Sequence, residues 1–106
     1  MPFIDTANLK QTERLPGWHG RYYHSPSMTF AQYDFKAGSS IHEHFHEQEE
    51  VFHILEGEIE MTIGGETRRV RPGLAAIVPA NVPHSTRAIT DGRLIVVDYP
   101  LRPEFG

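Results

Sequence analysis

The sequence predicts an all-β domain whose short antiparallel strands close into a barrel or stack as a sandwich. Short apolar-rich segments recur between Gly and Pro residues along the 106-residue chain, as is typical of all-β proteins. No segment keeps a helical period for more than about two turns. Many short strands must remove their exposed edges by closing or stacking, and the chain length suits one domain.

The predicted elements divide the chain into three parts. Residues 1–27 form an N-terminal segment with edge strands, and residues 28–99 form the barrel. Pro100 and Pro103 mark residues 100–106 as an extended C-terminal tail. We predict strands at residues 19–24, 28–35, 40–46, 50–56, 58–63, 66–71, 75–78, 84–89 and 93–99.

The clearest local signal is a two-residue hairpin at Gly64-Gly65. Two consecutive glycines supply the positive φ angles that a tight primed turn requires. In the strand before it, Ile59, Met61 and Ile63 share one face, because side chains alternate across a strand. This hairpin therefore joins a half-buried strand to residues 66–71.

Composition excludes several classes of function. The chain has no cysteine, so disulfides, Cys-based zinc sites and thiol catalysis are excluded. The formal net charge is -4, and the one basic run, at Arg68, Arg69 and Arg71, is too short to form a phosphate-binding face. We therefore do not expect the protein to bind nucleic acid. No apolar run approaches membrane-spanning length. We therefore expect a soluble, cytoplasmic protein that binds neither nucleic acid nor a membrane.

The stretch HEHFHEQEEVFH, residues 42–53, holds four of the seven histidines. Residues two apart lie on the same face of an extended segment, so His42, His44 and His46 project together. Glu50 opens the next strand, and if its side chain points at the same site, His53 points away. The opposite face of that strand carries Val51, His53 and Leu55 and is too apolar to be exposed to water. We therefore expect this face to be covered by either a partner subunit or the N-terminal segment.

Two spaced patterns resemble the motifs of the small single-domain cupins. They read Gly38-x5-His44-x-His46-x3-Glu50-x6-Gly57 and, after residues 58–72, Gly73-x5-Pro79-x-Asn81-x2-His84. Asn81 stands where the motif usually has glycine, and asparagine tolerates the left-handed backbone. The resemblance covers about residues 28–99. It implies a jelly-roll β-barrel, a homodimer, a small-molecule substrate and one divalent metal ion bound by His44, His46, Glu50 and His84.

The donor types agree with that implication. Three neutral imidazoles and one carboxylate suit Mn, Fe, Co, Ni, Cu or Zn, and the metal's identity stays open. His42 lies on the same strand face as His44 and His46, so its side chain can reach the site. There it would hold a ligand in place or lie at the barrel mouth. The alternative is a solvated histidine at the strand end.

Three functions are compatible with this site. The first is a non-redox lyase or isomerase acting on a small oxygenated, carboxylate-bearing or sugar-derived substrate. The chain resembles, more loosely, the cupins of pectin breakdown that linearise unsaturated uronates, in its run EHFHEQ and in Pro100 and Arg102 after the closing strand. This resemblance implies that Arg102 binds a substrate carboxylate and makes Asp98 a candidate general acid or base; the alternative for both is a surface ion pair near the barrel rim. The second is an Fe(II)-dependent dioxygenase. The third is a barrel that binds a metal or small ligand without turnover.

Overall fold

The computed structural model describes residues 2–105 and contains ten strands in two antiparallel sheets. One turn of 3-10 helix, Thr6–Asn8, precedes the first strand. The strands are β1 Thr12–Leu15, β2 Trp18–His24, β3 Thr29–Phe35, β4 Ser40–His44, β5 Glu49–Glu56, β6 Ile59–Ile63, β7 Glu66–Val70, β8 Ala75–Val78, β9 His84–Ala88 and β10 Gly92–Tyr99. The all-β prediction is confirmed.

The sheets differ in size and enclose the core between them. A six-stranded sheet has the order β1-β2-β3-β10-β5-β8, and a four-stranded sheet has the order β4-β9-β6-β7. Their facing sides bury Trp18, Phe35, Ile54, Ile59 and Leu94 almost completely. Alternating burial along β2 and β5 follows from the alternation of side chains across a strand. This is the jelly-roll barrel that the sequence motifs implied.

Each predicted strand corresponds to an observed strand, and β1 is observed in addition to them. Its sequence, Thr-Glu-Arg-Leu, is mostly exposed and carries little apolar signal. Pairing with β2 nevertheless extends the six-stranded sheet to Thr12, so β2 lies inside this sheet rather than at its edge. Strand β4 ends at His44, two residues before its predicted end.

The hairpin between β6 and β7 has the predicted register. Ile63 pairs with Glu66, and Gly64 and Gly65 take φ values of 55° and 87°. Both angles lie in the left-handed region, where glycine carries no steric penalty. The primed-turn geometry matches the twist of the two strands and fixes which face of β6 enters the core.

The C-terminal residues return over the barrel instead of extending away from it. The backbone N–H of Arg102 donates to Oγ1 of Thr29 over 2.7 Å. His24 Nε2 lies 2.6 Å from the Phe105 carbonyl oxygen, and the Phe105 ring packs on Tyr22 at 5.1 Å. The backbone N–H of Phe105 donates to the carbonyl oxygen of Arg102 over 3.1 Å, so the tail makes a turn beside β2 and β3. Within residues 2–105, we find no helix of the length and hydropathy that crossing a membrane requires.

Candidate metal centre

Four side chains from three strands and one loop meet at one end of the barrel. His44 is the last residue of β4 and pairs across the sheet with His84, the first residue of β9. The rings of these two residues are 4.3 Å apart, and the ring of His46, from the loop after β4, is 5.0 Å from that of His84. Glu50 reaches them from β5, with Oε1 3.2 Å from His84 Nε2 and 3.6 Å from His46 Nε2.

Each of the three imidazoles is held by a backbone carbonyl at its Nδ1 atom. The Nδ1-to-oxygen distances are 2.8 Å for His44 to His42, 3.0 Å for His46 to Gln48, and 2.8 Å for His84 to Val82. A carbonyl oxygen accepts only, so in each neutral ring Nδ1 carries the proton and Nε2 keeps its lone pair. This arrangement fixes both the tautomer and the orientation of a metal-binding histidine.

Nε2 of His46 and Nε2 of His84 are buried and face the carboxylate of Glu50. A carboxylate can only accept hydrogen bonds, so in the neutral rings neither Nε2 lone pair receives a hydrogen bond from any residue of 2–105. One ligand atom from each of His44, His46 and His84 lies within 4.8 Å of the other two. Buried polar atoms are normally satisfied, so three converging lone pairs beside a carboxylate fit a cation such as a divalent metal ion.

The electrostatics of Glu50 favour its charged form. Burial alone would raise its pKa, but hydrogen bonds with His46, His84 and Asp98 outweigh burial and hold the pKa of Glu50 well below its usual range. Burial also lowers the pKa of His84, yet the hydrogen bond to Glu50 reverses that effect and raises it overall. The pKa of His44 is lowered, mainly by burial. A metal ion and a proton would therefore compete for Nε2 of His84.

Asp98, on β10, lies behind Glu50 and is 1 % exposed. Burial, followed by the hydrogen bond to Glu50 and the charge of Glu50, raises the pKa of Asp98 to about 9. The pair is therefore a neutral carboxyl beside a carboxylate at neutral pH. Asp98 does not line the cavity in front of the histidines.

Arg102 lies inside the site and is surrounded by acids. Its Nη1 is 3.6 Å from Glu50 Oε2 and 3.7 Å from Asp98 Oδ2, and its Nε is 3.1 Å from Glu104 Oε2. The guanidinium also lies 4.2 Å from the centre of the Phe105 ring. Carboxyl groups of the protein therefore already contact Nη1 and Nε of Arg102.

A cavity of about 300 Å³ opens in front of the histidines. His44 and Glu50 form part of its wall, and His42, exposed at its rim, has its ring 5.7 Å from that of His44. His42 thus lies at the barrel mouth, and its carbonyl oxygen is the atom that holds Nδ1 of His44. His53 is exposed and does not line this cavity, in agreement with the parity of β5.

Several cavity residues were not assigned to the site by the sequence. Arg14 comes from β1, whose sequence carries no strand signal, and Phe105 comes from the tail. Tyr33 lines the wall with its hydroxyl 3.2 Å from that of Tyr22, and burial followed by the proximity of Tyr22 raises the pKa of Tyr33. Only contacts between distant segments bring these three residues together, so no local pattern could reveal them.

Residues 31–99 match the family model described as the cupin domain. The chain belongs to the cupin family. The cupin resemblance seen over residues 28–99 is thereby confirmed. Asn81, which replaces the usual glycine of the second cupin motif, has a φ of 64°, so it keeps the left-handed turn.

Similar proteins span most of this cupin. It is 32 % identical over 85 residues to an uncharacterized protein of Streptomyces coelicolor, covering 79 % of this chain and 81 % of that protein. It is 34 % identical over 61 residues to the H2HPP isomerase of Bacillus subtilis, covering 57 % of this chain but only 26 % of the isomerase. The structure of KdgF from Halomonas sp. superposes with a TM-score of 0.89 at 25 % identity, covering 96 % of this chain and 97 % of KdgF.

Proposed function

We propose that this cupin is a metal-dependent, non-redox enzyme of the lyase or isomerase type. One observation carries the proposal: three imidazoles, each fixed at Nδ1 by a carbonyl, turn Nε2 toward one point beside the buried carboxylate of Glu50. His44, His46, Glu50 and His84 would hold one divalent transition metal ion. That ion would polarise an oxygen of the substrate and acidify a neighbouring C–H or O–H bond.

Asp98 and Arg102 set the charge around these ligands. Asp98 keeps a proton against Glu50, so the pair carries one negative charge where two would repel each other. Arg102 stabilises that charge from 3.6 Å and orders the tail that covers the cavity. These contacts support a role for Asp98 in positioning Glu50. The predicted role of Asp98 as a general acid or base would require the substrate to reach past Glu50.

The size of the cavity supports a small substrate. A volume of about 300 Å³ is at the lower end for small-molecule sites and suits a ligand of monosaccharide size. The partial match to a protein named as an isomerase supports chemistry without net oxidation. The sequence resemblance to uronate-linearising cupins points to oxygenated, carboxylate-bearing or sugar-derived substrates, with the protein acting as a homodimer.

Metal content is the first test of this function. Elemental analysis of protein purified without added metal or chelator should give close to one transition metal ion per chain. The double variant His44→Ala/His46→Ala should have lost it, whereas His53→Ala, at an exposed histidine outside the cavity, should keep it. A wild-type protein that contains no metal and takes none up on soaking would refute the catalytic metal site.

The reaction type is tested separately, on protein with a known metal content. Unsaturated uronates and hydroxy-ketones should be converted by the wild-type protein at the same rate with and without dioxygen. The double variant should be inactive under both conditions. Near-stoichiometric iron together with oxygen uptake would contradict the non-redox proposal and favour the dioxygenase. Tight binding of these compounds without conversion would favour the binding barrel.

A further inference from the structure

The cavity carries a second guanidinium, from Arg14 on β1. Its Cζ lies 4.5 Å from the centre of the Phe105 ring, so Arg14 and Arg102 both contact this ring. Arg14 Nη1 donates to the carbonyl oxygen of Glu104 over 3.2 Å. These contacts hold the guanidinium at the cavity wall.

The two arginines differ in how their charge is balanced. Arg102 lies within 4 Å of carboxyl oxygens from Glu50, Asp98 and Glu104. In contrast, Arg14 forms no ion pair within 4 Å with any acidic side chain among residues 2–105, and its one protein acceptor is a neutral carbonyl. Arg14 is therefore the guanidinium of this cavity whose charge remains available to a ligand.

A neutral donor in the same cavity also lacks an acceptor. Trp18 lines the cavity and is 1 % exposed, and its Nε1 is buried without a hydrogen-bond partner within the described part of the chain. Buried N–H groups are normally satisfied, so Nε1 of Trp18 is left for an acceptor oxygen from a ligand or from water. The Arg14 cation favours a negatively charged ligand, and the Trp18 N–H favours one that carries acceptor oxygens.

We propose that Arg14, rather than Arg102, binds the carboxylate of the substrate and so determines specificity for monoanionic acids. The inference rests on the proposed function, since it concerns the substrate of the same cavity. Guanidinium groups bind carboxylates through paired, charge-assisted hydrogen bonds. One unbalanced cation matches a monoanion, whereas a phosphate dianion would bring excess negative charge beside Glu50 and Glu104.

The test compares D-galacturonate with D-galactose, which differs by having no carboxylate. Calorimetry on Mn(II)-loaded protein measures both affinities in wild type, Arg14→Gln and Arg14→Lys. We expect Arg14→Gln to weaken galacturonate binding about 10-fold or more, as loss of a charge-assisted hydrogen bond implies, and to leave galactose binding unchanged. Arg14→Lys should retain part of the preference. Arg87→Gln, at an exposed arginine of β9, is the control and should behave as wild type.

Three results would overturn the assignment. One is an unchanged galacturonate affinity in Arg14→Gln, and another is an equal loss for both sugars, which would indicate a structural role. The third is a wild-type protein that binds its metal but binds no galacturonate, or binds inorganic phosphate more tightly. Failure to bind metal at all would instead refute the proposed function, so the two failures are distinguishable.

Discussion

Glu50 Oε1 lies 3.2 Å from Nε2 of His84, although the two residues belong to different sheets. The contact joins the two halves of the candidate metal site across the barrel interior, because His44 and His84 come from the four-stranded sheet and Glu50 from the six-stranded sheet. A bound ion would therefore tie the two sheets together. Metal binding and folding stability should be coupled in this protein.

Removal of His84 should abolish metal binding. The variant His84→Ala removes one of four expected ligands, and we expect its affinity for Zn(II) or Mn(II) to fall by more than about 100-fold, exceeding the loss typical for a supporting residue. Competition with a chromophoric chelator measures the affinity. His53→Ala, at an exposed histidine outside the cavity, is the control. Equal affinities in wild type and His84→Ala would contradict the four-ligand site.

Chelation should destabilise the protein. A ligand present at 100 times its dissociation constant stabilises the folded state by about 2.7 kcal/mol, so metal removal should lower the melting temperature by roughly 10–20 °C in a domain of this size. Differential scanning calorimetry with and without EDTA measures the shift. The His44→Ala/His46→Ala variant should show no shift, and a chelator effect of equal size in that variant would locate the stabilising ion elsewhere.

The stability of metal-free protein should depend on Asp98. Its pKa is raised from 3.8 to about 9 by burial and by Glu50, so its contribution to stability is full below pH 3.8 and is lost as pH rises toward 9. The side-chain amide introduced by Asp98→Asn stays neutral at every pH and can still donate to Glu50. We therefore expect this variant to gain stability over wild type by up to about 1 kcal/mol per pH unit between pH 5 and pH 8.

Urea denaturation in EDTA at each pH measures that difference. Asp34→Asn, which changes an aspartate outside the cavity, controls for the loss of an acidic side chain. Arg102 favours the charged form of Asp98, while Glu50 and Glu104 disfavour it. A constant difference between Asp98→Asn and wild type across this range would show that Asp98 is ionised in the folded protein.

Trp18→Phe should weaken the binding of neutral and acidic sugars alike. Phenylalanine can keep the stacking on Phe35, whose ring lies 5.3 Å from that of Trp18, but it lacks the indole N–H. Loss of one neutral hydrogen bond should reduce the affinities for D-galacturonate and D-galactose by roughly 3–10-fold each. Calorimetry as for the Arg14 variants measures both. Unchanged affinities would mean that the Trp18 N–H does not contact the ligand.

We expect a homodimer through the outer face of the six-stranded sheet. The strand registers place five apolar residues side by side across this face: Ile77, Val51, Val97, Phe30 and Tyr23. Ile77 is 60 % exposed and Leu55 is 40 % exposed. The carbonyl of Leu9 accepts a hydrogen bond from Arg21, so the N-terminal segment runs beside β2 at the other side of this sheet from β8. A row of partly exposed apolar residues that ends at the exposed Ile77 favours a protein partner.

The dimer is tested by introducing a charge into this face. Ile77→Lys should give a monomer in size-exclusion chromatography with light scattering, because a buried unpaired lysine opposes association. Arg87→Glu, a charge change at an exposed residue of the other sheet, should leave the assembly unchanged. A wild-type protein that is monomeric at all concentrations would refute the predicted dimer.

The sequence alone grouped the candidate ligands and located most of the strands. His44, His46 and Glu50 lie close along the chain, so alternation in extended segments and the motif spacing suffice to group them, and Gly64-Gly65 fixes one hairpin. His84 was assigned through the second cupin motif. These features depend on local spacing, which the sequence records directly.

Only the tertiary structure decided the surroundings of the cluster. The contact of the tail residue Arg102 with Glu50 and Asp98, and that of Arg14 with Phe105, join segments far apart in the chain. Such contacts depend on sheet order and on how the tail packs, and neither leaves a periodic signal in the sequence. The folded chain brings acidic side chains next to Arg102 but not next to Arg14. Only the tertiary structure therefore shows that the charge of Arg102 is balanced and that the charge of Arg14 is available.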